Sequence, residues 1–218
     1  MSLRKWLKKY LAYNPAEIMD QTAYKYLENC QNVIDIGCGN GNFIKFAPEK
    51  ISGIDNNPEA VRWCQQQDLN VIPGDALDLP FENESYDGVH CSHLIEHLFP
   101  AEAWQLLNQL NRILKPGGII CLRAPLMSRH FYNDLTHIRP YPPQAVMEYL
   151  GGKWQDKHPQ TFEVLKSEFE IIKIKWRHFP LLSGIVHNPI LVRILEVFAG
   201  FGFRSFTRSG YLLILQKK

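Results

Sequence analysis

The feature that most constrains the fold is a glycine-rich turn directly behind an apolar run. The stretch "NVIDIGCGNGNF", residues 32–43, places Gly37, Gly39 and Gly41 just after "VIDI". Glycine tolerates positive φ, and such a turn between a strand and a helix presents backbone N–H groups to a nucleotide. The spacing is GxGxG, not the dinucleotide fingerprint GxGxxG, and the GxxxxGK[ST] motif is absent. The turn alone therefore leaves the ligand open.

Around this turn, short apolar runs alternate with helix-like segments. Helices are predicted near 42–46, at 57–67 with Asn57 or Asn56 as N-cap, and at 101–114, where "KPGG" is expected to end the helix. The predicted strands are apolar throughout, which is typical of a parallel sheet covered on both faces. They span residues 32–36, 50–55, 70–75, 86–93 and 119–125.

The alternation stops after residue 125. A polar and aromatic connector follows, then a short helix at 143–152 and strands at 169–179 and 210–218. The apolar stretch 180–209 is too long for a hairpin loop, so it predicts a helical insertion. We therefore expect one domain, 1–218, with a doubly wound α/β fold and a mixed, mostly parallel sheet of seven strands. Its parts would be an N-terminal helical cap (1–29), a ligand-binding core (30–125) and a substrate-side region (126–218).

The composition limits the expected binding partners and the expected cellular compartment. The net charge is +2, so nucleic acid is not indicated as a partner. No two of the five cysteines form a CxxC pair, and residues 1–15 lack the apolar core of a signal peptide, which favours a cytoplasmic setting. Residues 1–11 read as a basic amphipathic helix, which would cover the site, pack on the domain, or weakly contact a membrane surface. Oligomeric state is left open.

Acidic residues follow the predicted strands at informative positions. Asp55 ends the second strand 20 residues after Asp35, where a carboxylate can accept hydrogen bonds from both ribose hydroxyls. Asp75 follows the third strand within "PGDALDLPF", within reach of an adenine amino group. Asp87, at the start of the fourth strand, is interpreted as a structural turn cap.

With these acids in place, the chain resembles the class I S-adenosylmethionine-dependent methyltransferases. "VIDIGCGNG", "GIDNNPEAV", "GDALDLPF", "SYDGVHCSHLIEHL" and "LKPGG" match the motifs of that family in order, over roughly residues 30–125. The resemblance implies S-adenosylmethionine as cofactor and S-adenosylhomocysteine as product. It also implies which residues contact each part of the cofactor. The methionine end would meet Asp35, Gly37, Cys38, Gly39, Asn40 and Gly41, and the ribose and adenine would meet Asp55, Asn56, Asp75 and Ala76. The sulfonium would lie beside Cys91, Ser92 and His93.

Methyl transfer needs alignment and, for a hydroxyl acceptor, a base. His93, His97 and His137 are the candidate bases, since histidine titrates near neutral pH. A metal site built from His90, His93, Glu96 and His97 is not expected, because His90 falls on the strand.

The connector "NDLTHIRPY" resembles, over a short stretch, a segment of bacterial methyltransferases that act on glycans or cell-surface precursors. Asp134, Arg139 and Tyr141 are therefore candidate substrate residues, with Arg123 or Arg129 as alternatives for binding an anionic group. The predicted acceptor is a small molecule, or a glycan or lipid-linked group, methylated at oxygen. A nicotinamide-dependent oxidoreductase and a non-catalytic cofactor-binding module remain alternatives.

Overall fold

The sheet of this protein is mixed and seven-stranded. The computed structural model describes residues 15–128, 130–150, 169–180, 191, 194, 198 and 204–218. The strands are β1 (Val33–Ile36), β2 (Ile51–Asp55), β3 (Val71–Pro73), β4 (Tyr86–Ser92), β5 (Leu114–Pro125), β6 (Phe169–Pro180) and β7 (Arg204–Lys217). Their order is β3-β2-β1-β4-β5-β7-β6. β1 to β5 pair in parallel, whereas β7 is antiparallel to both β5 and β6. The predicted fold class is confirmed.

Four α-helices accompany the sheet within the described residues: α1 (Pro15–Leu27), α2 (Pro58–Gln65), α3 (Pro100–Ile113) and α4 (Pro143–Leu150). The N-cap of α2 is Asn57, whose side-chain oxygen accepts from the Glu59 amide at 3.0 Å, with Pro58 in the first turn. None of these helices is long and apolar enough to cross a membrane.

Two apolar clusters form the core. One joins the sheet to α3 and α4, through residues such as Leu106, Leu110 and Leu213. The other joins the sheet to α1, where Met19, Ala23 and Leu27 are buried. All four residues of β1 are buried, as expected for a central strand covered on both faces.

The turn cap predicted for Asp87 is present. Its two carboxylate oxygens accept from the backbone N–H groups of Gln31 and Asn32, both at 2.8 Å, where the chain enters β1. This carboxylate therefore ties the start of β4 to the start of β1.

Two local predictions were wrong. The helix expected at 42–46 is a single 3-10 turn, Ile44–Phe46. Pro48 disfavours helical geometry at Ala47, whose φ and ψ are −159° and 75°, so the helix cannot continue. "KPGG" does not separate α3 from β5 but lies within the strand as an irregularity: Tyr86 pairs with Leu114 and Gly88 with Ile119.

The C-terminal prediction needs a similar correction. β7 begins at Arg204 and not at residue 210, and Pro180 ends β6, so residues 204–209 belong to the sheet and not to an insertion. Residues 191, 194 and 198 are helical, and the rest of 181–203 lies outside the described residues. The N-terminal segment 1–11 also lies outside them.

Candidate active site

The candidate site lies at the carboxyl ends of β1 to β4. Strand order reverses between β1 and β4, which are hydrogen-bonded neighbours, and ligands of doubly wound folds bind at this switch point. The glycine turn follows β1, Asp55 ends β2, and the "HLIEHL" segment follows β4. Gly37 and this last segment are close, since a Cβ placed on Gly37 would meet a methyl carbon of Leu94 at 3.3 Å.

The glycine turn has the backbone shape that a bound ligand requires. Gly37, Gly39 and Gly41 have φ values of 70°, 51° and 68°, in the left-handed region that favours glycine. A Cβ on Gly39 would meet no atom of the described residues within 4 Å, whereas one on Gly41 would meet Leu69 at 2.6 Å. Gly39 thus borders open space at the site, and Gly41 borders the packed core. The residues present fit an adenosyl cofactor at this turn.

Asp55 connects the turn to the end of β2. Its Oδ2 accepts from the Gly39 N–H at 2.7 Å and its Oδ1 accepts from the Asn57 N–H at 2.9 Å. The side chain is half-buried, and Asn56 beside it is exposed. A carboxylate held by two backbone N–H groups is fixed in place while its remaining lone pairs stay available to ribose hydroxyls.

Asp75 and Ala76 lie just after β3. The Asp75 Oδ1 accepts from the Leu77 N–H at 2.9 Å, which orders the loop, and the side chain is exposed. Both residues therefore lie at the edge predicted for adenine.

Other side chains predicted to contact the cofactor are buried or hydrogen-bonded within the protein. Asp35 is only 3% exposed, and its Oδ1 lies 2.6 Å from Nδ1 of His90, whose ring stacks on Phe43. The Cys91 side chain is buried, and burial raises the pKa of its thiol. The Ser92 hydroxyl accepts from the Arg123 guanidinium at 2.6 Å. In this structure these side chains serve the packing of the sheet, and their contacts to a cofactor stay predictions.

All three candidate bases lie around one buried carboxylate, Glu96. His93 Nδ1 lies 2.8 Å from Glu96 Oε1, and His93 Nε2 lies 3.4 Å from a guanidinium nitrogen of Arg177. Glu96 is fully buried, whereas 34% of the His93 side chain is exposed. Burial lowers the pKa of His93, an effect that the hydrogen bond to Glu96 opposes. The Nδ1 side of the ring thus faces the Glu96 carboxylate, and Nε2 faces the Arg177 guanidinium, which can only donate to it.

His97 and His137 lie beside each other across the site. Their ring centroids are 4.8 Å apart, and the connector is held against Glu96 because the Ile138 N–H donates to the Glu96 carbonyl at 2.9 Å. Ligand atoms of Glu96, His97 and His137 all lie within 4.8 Å of one another. The fold thus brings together histidines that are 40 positions apart in the sequence.

An apolar pocket of about 280 Å³ is lined in part by Ile95, the residue before Glu96. Arg139 and Tyr141, both predicted as substrate residues, line it. Asp134 does not line it; its carboxylate accepts from the backbone and the hydroxyl of Thr136, at 2.9 and 2.6 Å, and closes a turn. The remaining lining is aliphatic and aromatic: Ile95, Pro100, Ala103, Trp104, Leu107, Ala145, Val146 and Tyr149.

The structure adds one polar residue to the site, Glu96, and removes one candidate, Arg123. In the sequence, Glu96 belongs only to the group of His90, His93 and His97 for which no metal site is expected. Its position three residues after His93 and one before His97 is the sequence signal that it contacts these histidines. Arg123 pairs with Asp20 of α1 at 2.7 Å, so it is not available for a substrate anion. No sequence signal links these two residues, because they are 103 positions apart. The other alternative, Arg129, lies outside the described residues.

Comparison with known proteins agrees with this architecture. Residues 34–122 match a family described as "Methyltransferase domain". A probable phthiotriol/phenolphthiotriol dimycocerosates methyltransferase 2 of Mycobacterium ulcerans is 34% identical over 100 residues, which cover 40% of this chain and 37% of that protein. A fatty-acid O-methyltransferase of Mycolicibacterium smegmatis is 31% identical over 97 residues, which cover 40% and 35%. The chain thus spans little more than a third of the length of these relatives.

Among solved structures, a SAM-dependent methyltransferase from Archaeoglobus fulgidus aligns over 99% of this chain and 100% of its own, with a TM-score of 0.64 and 24% identity. At that identity the likeness concerns the fold.

Proposed function

The chain belongs to the class I S-adenosylmethionine-dependent methyltransferases, and from this premise we propose that it methylates a hydroxyl group of a small acceptor with an apolar portion. The observation that carries the proposal is the His93–Glu96 pair after β4, because the two residues between them are Leu94, which lies beside Gly37, and Ile95, which lines the apolar pocket. A glycan or lipid-linked hydroxyl belongs to the same proposal if its carrier is apolar.

The cofactor of this family supplies an activated methyl group on a sulfonium, so the protein mainly has to bind, align and accept a proton. The glycine turn and Asp55 would hold the methionine and ribose ends. His93, with its Nδ1 proton donated to Glu96, would offer Nε2 to a hydroxyl proton when the acceptor hydroxyl takes the place of the Arg177 guanidinium, which lies 3.4 Å from Nε2 in this structure. Glu96 then faces a cationic imidazole and stabilises it, as the acid does in other acid–histidine pairs.

The pocket supports the apolar part of the acceptor. Its aliphatic and aromatic walls would bury a chain or ring, and the guanidinium of Arg139, 5.2 Å from the centre of the Tyr141 ring, lies at its polar side. The name of one relative, fatty-acid O-methyltransferase, fits the apolar part of such an acceptor. A wholly polar sugar would leave these walls without a contact.

The experiment is a transfer assay with S-adenosylmethionine labelled in its methyl group. Hydroxylated and carboxylated amphiphiles of increasing chain length, matched polar sugars, and amines of the same skeleton would be compared. We expect label in a hydroxyl-bearing amphiphile and rising kcat/KM with chain length. Preference for the amine or the polar sugar would contradict the proposed acceptor, and transfer to none of them despite tight binding of S-adenosylhomocysteine would favour the non-catalytic module. Binding of nicotinamide nucleotides in place of S-adenosylhomocysteine would favour the oxidoreductase.

A further inference from the structure

We propose that Glu96, His97 and His137 form a binding site for one divalent transition-metal ion of the Zn²⁺ type. Their ligand atoms lie within 4.8 Å of one another on two different segments, the turn after β4 and the connector. Two imidazoles and one carboxylate are a ligand set that catalytic zinc sites use, with a fourth position left open. Around a tetrahedral Zn²⁺ with bonds of about 2.0–2.1 Å the ligands lie about 3.3 Å apart, so side-chain shifts of roughly an ångström would complete the site.

The hydrogen bonds of His97 assign its ring nitrogens. Its Nδ1 lies 2.9 Å from the Thr136 hydroxyl oxygen and 3.2 Å from the Thr136 carbonyl. The carbonyl can only accept, and the hydroxyl proton is donated to Asp134 at 2.6 Å. His97 Nδ1 therefore carries the proton, and Nε2 keeps the lone pair that a metal requires.

His137 is held in the same way. Its Nδ1 donates to the Phe131 carbonyl at 2.7 Å, which leaves Nε2 with a lone pair. The ring is packed between Phe131 and His97, with centroid distances of 4.6 and 4.8 Å, and its side chain is 14% exposed. Histidines that bind metals are usually fixed through the other ring nitrogen by a carbonyl or carboxylate, and both of these histidines meet that description.

Glu96 supplies the independent observation. Its Oε1 is bonded to His93, but its Oε2 is buried and has no hydrogen-bond partner in the part of the chain that the structure describes. Among the described residues this oxygen thus lacks a partner, which is costly for a buried carboxylate, and a bound cation beside it removes that cost. A metal site is not expected from the sequence, where His90 groups with His93 and His97 although it falls on a strand. In the structure His90 faces Asp35, and His137, from the connector, takes the third position.

The test uses the full chain after treatment with a chelator, titrated with Zn²⁺ in competition with a chromogenic chelator. We expect one bound equivalent and, with Co²⁺, visible absorption of a four-coordinate nitrogen–oxygen site without a thiolate charge-transfer band. His137→Gln should weaken Zn²⁺ binding at least about 100-fold, and Thr136→Val, which removes only the hydroxyl that holds His97, about 10-fold. His130→Gln, an exposed histidine of the same connector, is the matched control and should bind as the parent does.

Circular dichroism of each variant separates loss of the site from loss of the fold. Zn²⁺ should also raise the melting temperature of the parent and of His130→Gln, but not of His137→Gln. No bound equivalent, equal affinity in His137→Gln and the parent, or a thiolate band from Co²⁺ would overturn the assignment. Because these readouts need neither cofactor nor acceptor, they fail independently of the proposed methyl transfer.

Discussion

The cofactor edge and the histidine side of the site are built on opposite plans. At the cofactor edge, backbone N–H groups and two carboxylates, Asp55 and Asp75, form a polar surface at the ends of three successive strands, β1, β2 and β3. On the histidine side, imidazoles from two distant segments meet around Glu96, and an apolar pocket lies beside them. The first arrangement suits a cofactor, which is the same in every turnover. In the second, the side chains would determine the reaction and the shape of the acceptor. Substitutions that affect one side and spare the other test this division.

The largest effect is expected on the histidine side, from His93→Asn. Asparagine tolerates the φ of 56° that His93 adopts, so the backbone should be retained while the base is lost. We expect kcat to fall about 10²- to 10⁴-fold, the usual contribution of a positioned base, with the affinity for S-adenosylhomocysteine unchanged. His130→Gln serves again as control. A kcat within threefold of the parent would remove His93 from the mechanism.

The glycine turn allows a matched pair of substitutions in which one residue borders the core and the other the ligand. In Gly41→Ala the new Cβ would clash with Leu69 at 2.6 Å and Cys64 at 3.0 Å, in addition to the strain of positive φ. We expect the free energy of unfolding to fall by about 3 kcal/mol. In Gly39→Ala only the backbone strain of about 1–2 kcal/mol applies, but the methyl group points into the open space of the site.

Urea unfolding and calorimetry of S-adenosylhomocysteine binding distinguish the two variants. Gly41→Ala should be the less stable one, and Gly39→Ala should lose more affinity per unit of stability lost. The reverse order would mean that the ligand does not lie over Gly39.

Asp55→Ala tests the cofactor edge directly. Two hydrogen bonds from ribose hydroxyls to a carboxylate contribute about 1.5–3 kcal/mol each, so the Kd of S-adenosylhomocysteine should rise at least about 100-fold. Glu59→Ala, an exposed acid at the start of α2, should leave the Kd unchanged. An unaltered Kd in Asp55→Ala would show that this carboxylate only supports the Gly39 and Asn57 N–H groups.

The sequence predicts the cofactor edge better than it predicts the histidine side. The order of β1 to β5, the N-cap Asn57 and the positions of Asp55 and Asp75 depend on local patterns, which the sequence displays. The position of Glu96 beside His137 depends on the fold, because the two residues are 41 positions apart and the connector is held there by the Ile138 and Arg139 N–H groups, which donate to the Glu96 carbonyl. The predicted ends of segments were wrong where pairing within the sheet outweighs local turn propensity. An example is "KPGG", whose turn residues lie within β5 as an irregularity. The single-domain division and the cytoplasmic setting stay predictions.

The smallest effect is expected at the pocket and concerns the acceptor alone. Ala145 lines the pocket and is half-buried, whereas its neighbour Gln144 is exposed on α4. Ala145→Phe would fill part of the 280 Å³, so an apolar acceptor should show a KM raised about 10-fold, equivalent to about 1.4 kcal/mol of lost burial. Gln144→Phe adds the same ring outside the pocket and should leave that KM unchanged, and S-adenosylhomocysteine should bind both variants equally. Ala145→Phe could instead raise the KM of a polar acceptor as much as that of an apolar one. The pocket would then control access to the site and would not recognise the apolar chain, so it would not select the acceptor.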